Sequence, residues 1–245
     1  MTKVSALTGR ELLALLGVWL LLSAAGGTVT VVDARQIQAD WGRDGAQLIP
    51  LVVAEVYAAI VVAAVLVLGR RLRPAVALNR APAHAFALAC VGVAGAYAVI
   101  AGLHAVPLID TWPDVVGLLR AIGSDDGRLE TAGPGTAAII LLRACCLAPL
   151  GEELLFRGAL FTWLRQRLDA PWTIVLTAMA FSVIHIYPPL LPLGFAIGVV
   201  FGWIRERSHS IAPTVVAHVA HNVLLVAYAH ATAGWGARLP AWGGP

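Results

Sequence analysis

Two adjacent carboxylates stand inside an apolar run, Gly151-Glu152-Glu153-Leu154-Leu155-Phe156-Arg157. Glu153 and Arg157 are four residues apart, so on a helix they face each other and neutralise one another. Glu152, turned about 100° away, has no such local partner. A charged group in an apolar setting is costly and marks a functional site by default. Downstream, His185 follows Phe181 by four residues, and His218, His221 and Asn222 sit together. These are the parts of a water-splitting site. Glu152 can take a proton from water, and His185 can hold that water or pass the proton onward. His218 and Asn222, one helical turn apart on one face, offer two donors to a tetrahedral oxyanion. Glu153 and Arg157 then fix the helix and the field around Glu152, while Phe181 packs around His185.

No residue makes a convincing covalent nucleophile. Ser182 and Thr177 read as helix–helix contacts. Cys145 and Cys146 lie about two turns before Glu152, with no histidine evident at their depth. A metal stays open, because Glu152, His185 and His218 would make a three-ligand zinc set. His221 could substitute as a ligand, although a helix–helix hydrogen bond is its simpler role. The H-E-x-x-H zincin motif is absent.

In order and spacing, Glu152-Glu153-x-x-x-Arg157, Phe181-x-x-x-His185 and His218-x-x-x-Asn222 resemble the three motifs of the CPBP family. These are the CAAX prenyl proteases and bacteriocin-processing enzymes, also called the Abi family. Arg207-Ser208-His209-Ser210-Ile211-Ala212-Pro213 is similar to that family's lead-in to its last motif. The resemblance covers residues 135–231. It implies an intramembrane endopeptidase acting on a lipidated, CAAX-like or membrane-anchored protein or peptide, with Glu152, His185, His218 and Asn222 as the catalytic set. The family has been described both as metal-dependent and as glutamate-based; we expect no tightly bound metal.

The elements that must carry these residues follow from composition. Of 245 residues, 59% are hydrophobic and 13% charged, against about 45–50% and about 25% in soluble domains. The chain reads as an all-α integral membrane protein, not as a disordered chain, a coiled coil or a disulfide scaffold. Apolar runs predict spans near 12–32, 47–69, 85–107, 135–168, 172–187, 190–204 and 211–231. That makes a bundle of about seven helices, or eight if 113–122 also crosses, which would move the C-terminus inside. The division is an N-terminal three-span region 1–134 with a polar loop 108–134, a core 135–231 of four spans, and a tail 232–245. Residues 1–26 have a signal-peptide look, but the spans that follow favour a retained helix.

Fifteen of the 17 cations fall in loops. Ten of them (Lys3, Arg10, Arg70, Arg71, Arg73, Arg80, Arg165, Arg167, Arg205 and Arg207) share the side that the positive-inside rule makes cytoplasmic, against five opposite. The N-terminus is therefore expected inside. Glu152, His185, His218 and Asn222 then lie about 24, 21, 12 and 18 Å from their cytoplasmic turns, at overlapping depth. Glu55 and Arg143 share a depth on the other side and read as a structural pair. The net charge of +3 serves topology and does not indicate nucleic acid. Cys90, Cys145 and Cys146 show no disulfide or zinc spacing. His84, His104, His209 and His230 sit at span ends or turns, and Trp112, Trp172, Trp203, Trp235 and Trp242 near span boundaries, as in aromatic belts. High Ala, Arg and Gly with few Lys fits GC-rich bacterial coding and a bacterial inner membrane. Other readings are a catalytically silent CPBP-fold scaffold or bacteriocin self-immunity protein, and a proton-coupled transporter. The last would want an inverted repeat or broken helices, and none is visible.

Overall fold

The computed structural model describes residues 8–17, 77, 79–104, 134–184 and 191–236. All elements among them are helical: α1 (residues 9–17), α2 (Ala83–His104), α3 (residues 134–165), α4 (Ala170–Val183), α5 (Leu191–Ser208) and α6 (Ala212–Gly236). The last five lie where sequence runs 85–107, 135–168, 172–187, 190–204 and 211–231 were expected. The run 47–69, the loop 108–133 and Glu55 lie outside the described residues, as does most of 12–32. Among the described residues, no helix is long and apolar enough to cross a membrane. For α4, its 14 residues reach only about 21 Å against a hydrocarbon core of about 30 Å.

The α3 rod is not a regular helix. Pro149 has no N–H, and its ring crowds the carbonyl four residues earlier. The backbone answers by widening: Arg143–Leu147 forms a π-type turn, after which the Ala148 N–H reaches back to Arg143 O. A regular segment, Ala148–Glu153, then carries both glutamates. It is followed by a second π-type turn, Leu154–Leu160. Such turns are frequent at functional sites because they re-aim the side chains around them.

Helices α4 and α5 run antiparallel and touch along a stripe of small residues. Gly194 faces Ser182, Gly198 faces Ala178, and Gly202 faces Ile174, a four-residue spacing that lets two backbones approach closely. Helix α4 is started by Asp169, whose carboxylate accepts from the Trp172 N–H at 3.1 Å. Near the end of α4 the Ser182 hydroxyl donates to Leu191 O, the first residue of α5, at 2.6 Å.

Helix α2 covers the other side of α5 and leans on α6, with Ala89, Val93, Ile197, Phe201, Ile204 and Ala217 as the shared apolar core. The turn between α5 and α6 is pinned from outside. Ser210 Oγ donates to Asn79 O at 2.6 Å, Asn79 Nδ2 to His209 O at 3.2 Å, and Ile211 N–H to Ala77 O at 3.1 Å. Helix α1 begins with a reciprocal Thr8–Glu11 cap and packs Leu12, Leu15 and Leu16 against the second half of α3.

Arginine and tryptophan gather at one end of the bundle. Arg165 binds Glu206 at 3.1 Å, Arg167 lies over Trp163, and Arg207 over Trp203. Arg205 departs from the expectation that placed it in a loop with these cations. It is 8% exposed, because the last turns of α5 continue past the predicted span end at 204 and turn it into the bundle. The cationic tally on that side falls from ten to nine, which leaves its sign unchanged.

A Cβ on Gly198 would lie 2.9 Å from both Cα and Cβ of Ala178, atoms that move only if α4 and α5 separate. Gly198→Ala is expected to destabilise the protein by about 1–3 kcal/mol. Gly95→Ala, with nothing within 4 Å of its Cβ, should be neutral or stabilising by up to about 1 kcal/mol. Thermal unfolding in detergent checks both, and equal Tm values would contradict this packing.

Candidate active site

The regular segment between the two wide turns of α3 places Glu152 and Glu153 in different surroundings. Glu153 is fully buried and pairs with Arg157, Oε1 to Nη1 at 2.9 Å, with Arg157 buried as completely. The i, i+4 pairing expected from sequence is therefore present. The same Oε1 lies 3.0 Å from His218 Nδ1 on α6. An ionised carboxylate only accepts hydrogen bonds, so Nδ1 carries the proton of this contact.

Arg157 is the largest fully buried side chain among the described residues. Its Nη2 donates to Gly198 O at 3.3 Å, and its guanidinium carbon sits 4.3 Å from the centre of the Phe181 ring and 5.2 Å from that of Phe201. Cation–π contact replaces part of the hydration lost on burial. The two rings also flank His218, Phe181 edge-on at 5.7 Å and Phe201 tilted at 5.1 Å. The imidazole is thus fixed by two rings and one carboxylate, with its remaining nitrogen pointing elsewhere.

That nitrogen, Nε2, lies 3.7 Å from Oε2 of Glu152. The Glu152 side chain keeps 17% of its surface exposed, against none for Glu153. Of the two carboxylates, Glu152 is the one a reactant can reach. The separation exceeds a direct hydrogen bond and suits a bridging water or substrate oxygen.

Asn222 does not join this contact directly. Its Nδ2 donates to Ala144 O at 2.7 Å, inside the first wide turn of α3. Ala148 N–H has gone to Arg143 O, and position 149 is a proline, so Ala144 O has lost both its α and its π partner. Asn222 fills that vacancy from α6, leaving its second N–H and its Oδ1. His221, next to Asn222 in sequence, is buried about one turn after His218, with ring centres 6.3 Å apart, and stands edge-on to Phe201 at 6.5 Å. His185 lies outside the described residues.

The structure therefore brings together Glu152, Glu153, Arg157, Phe181 and His218, and ties Asn222 to the same helix about two turns earlier. Phe181 stacks on Arg157 and edges His218. Sequence reasoning missed Phe201, Gly198 and Arg205. The four-residue spacing of Gly194, Gly198 and Gly202, with Phe201 beside it, was the available signal for the first two. For zinc, the described residues present two facing donors, Glu152 Oε2 and His218 Nε2, whereas a catalytic site takes three protein ligands. Among the described residues no group of three or more His, Cys, Asp or Glu is placed to hold a metal ion, and His185 is not among them.

Among the described residues an all-helical frame holds a sealed Glu–Arg–His cluster behind an accessible Glu–His pair, an arrangement able to exchange protons with a reactant. Residues 134–224 match the family described as Rce1-like: Type II CAAX prenyl endopeptidase Rce1-like. That match agrees with the motif resemblance to CPBP proteases. The family is one of membrane-embedded CAAX-type proteases, in keeping with the apolar composition. No curated protein and no solved structure matches the chain.

Removing the guanidinium leaves the buried Glu153 carboxylate with His218 Nδ1–H and no arginine, so Arg157→Met should cost about 3–5 kcal/mol. Neutralising that carboxylate with Glu153→Gln in the same chain should recover part of that loss. Chemical denaturation in detergent measures both. Equal losses in the single and double variants would mean that charge pairing is not what holds these side chains.

Proposed function

We propose that the protein is an intramembrane endopeptidase that hydrolyses a peptide bond of a lipidated, CAAX-like or membrane-anchored protein or peptide near the cytoplasmic face of a bacterial inner membrane, with its N-terminus inside. The observation that carries this is the 3.7 Å approach of His218 Nε2 to Glu152 Oε2, with His218 Nδ1 already committed to Glu153.

A doubly protonated His218 makes the cluster neutral, Glu152 and Glu153 balancing Arg157 and His218. Glu152 removes a proton from water as the oxygen attacks the scissile carbonyl carbon. His185 steadies the same water. The C=O electrons move to oxygen, and the oxyanion is met by His218 Nε2–H and the second N–H of Asn222, whose first N–H is anchored on Ala144 O. When the intermediate collapses, the C–N bond breaks and Glu152 returns its proton to the leaving amine. Donors fixed before the charge develops cost no reorganisation during the reaction. Should a metal take part, Glu152, His185 and His218 would hold it, and it would supply Lewis-acid polarisation of the water.

The purified full chain in detergent, given farnesylated and unmodified membrane-tail peptides and read by mass spectrometry, should release a defined product. Glu152→Gln should lower the rate by about 10²–10⁴-fold, the usual worth of a general base, and chelation should leave it unchanged. Loss on chelation with recovery on zinc would move Glu152, His185 and His218 to metal ligation. Full activity in Glu152→Gln would remove Glu152 from the chemistry.

A further inference from the structure

The second wide turn of α3 raises the same backbone question as the first. In a regular helix Arg157 O would accept from Phe161 N–H, but that N–H goes to Phe156 O and Gly158 O. Arg157 O is instead met by a side chain from α5: Arg205 Nε donates to it at 3.0 Å. Arg205 is itself buried, lies over the Phe161 ring at 5.2 Å and reaches Thr162 Oγ1 at 3.5 Å. Each wide turn of α3 thus has a carbonyl released from the helix and a donor from another helix that satisfies it, Asn222 at the first and Arg205 at the second.

The second clamp falls on the residue that organises the site. Arg157 is gripped by α5 twice, its guanidinium by Gly198 O and its carbonyl by Arg205. The two grips are seven residues apart on α5, about 10.5 Å along its axis. Between them lies the wide turn that follows Glu152 and Glu153. If that turn relaxed to α geometry, the helix on its two sides would change register by about one residue, a rotation of about 100°. Glu152 would then lose its aim at His218 while the Glu153–Arg157 pair, being local, could persist. An Arg in this place costs burial and adds little to the apolar core. Its donor position, not its charge at the surface, accounts for it.

We infer that Arg205 is a positioning residue for the proposed hydrolysis: its Nε–H holds the wide turn at Leu154–Leu160 open and so keeps Glu152 facing His218. This rests on the protease function proposed above, and it also makes a backbone claim that does not depend on it.

The test uses the full chain in detergent with Arg205→Ala, Arg205→Lys and Arg165→Ala. Arg165, itself exposed, ties α3 to α5 at the same end through half-buried Glu206 and contacts nothing in the site. Two readouts are taken: kcat and KM on a peptide the wild type cleaves, and hydrogen–deuterium exchange of segments 154–162 and 191–204. Arg205→Ala should lower kcat by about tenfold or more with KM within about twofold, and should speed exchange in 154–162 but not in 191–204. Arg205→Lys keeps charge and stem but places no N–H at the Nε position, so it should behave as Arg205→Ala and serves if the alanine variant does not fold. Arg165→Ala should change neither readout. Wild-type kcat in a folded Arg205 variant, or exchange that rises equally in both segments, overturns the inference. If the wild type cleaves no peptide, the protease reading fails by itself, and exchange in 154–162 still decides whether Arg205 holds the turn.

Discussion

Burying an arginine and a glutamate together removes two hydration shells, and their mutual attraction repays that loss only when the remaining hydrogen-bonding groups are also met. The Glu153–Arg157 pair imposes this demand on its neighbours, which meet Glu153 Oε1 and Arg157 Nη1 and Nη2, while Glu153 Oε2 and Arg157 Nε have no hydrogen-bond partner among the described residues. Gly198 must lack a side chain so that α5 can come close enough to α4 and offer its carbonyl to Arg157. Phe181 and Phe201 must present their faces to the guanidinium. His218 must bring Nδ1 to the carboxylate. Helices α3, α4, α5 and α6 meet at this one pair.

From that demand follows a division of labour between two chemically identical neighbours. Glu153 is spent on structure, sealed and shared between Arg157 and His218. Glu152, one residue earlier, is turned toward Nε2 of the same histidine and keeps contact with solvent. His218 joins the two roles, since one nitrogen is held by the structural carboxylate and the other faces the accessible one. In the proposed hydrolysis, a rigid imidazole set between two rings is worth more than a free one, because its orientation is settled before a substrate arrives.

The part of the chain outside the Rce1-like match is not idle. Ala89 and Val93 of α2 complete the core around Phe201, the ring that faces both Arg157 and His218. Ala77 and Asn79 hold the turn that leads into α6, so the height of His218 is set partly by residues more than 130 positions earlier in the chain. Leu12, Leu15 and Leu16 pack on the half of α3 that follows the glutamates.

Sequence alone determined what depends on short range. Helix spacing made Glu153 and Arg157 partners, singled out Glu152, and grouped His218 with Asn222, and the order of three motifs pointed to the family. Tertiary structure decided what depends on rotation and depth. His218 answers to both glutamates, Asn222 spends one N–H on Ala144 O, and Arg205 lies inside the bundle instead of in a loop. These outcomes turn on two wide turns in α3 and a glycine stripe on α5. A wide turn shifts every later side chain by about 100°, and regular periodicity assumes that no such shift occurs. Pro149 and the glycines at 194, 198 and 202 were visible, yet which backbone carbonyl each would release or expose became definite only when the neighbouring helix was in place.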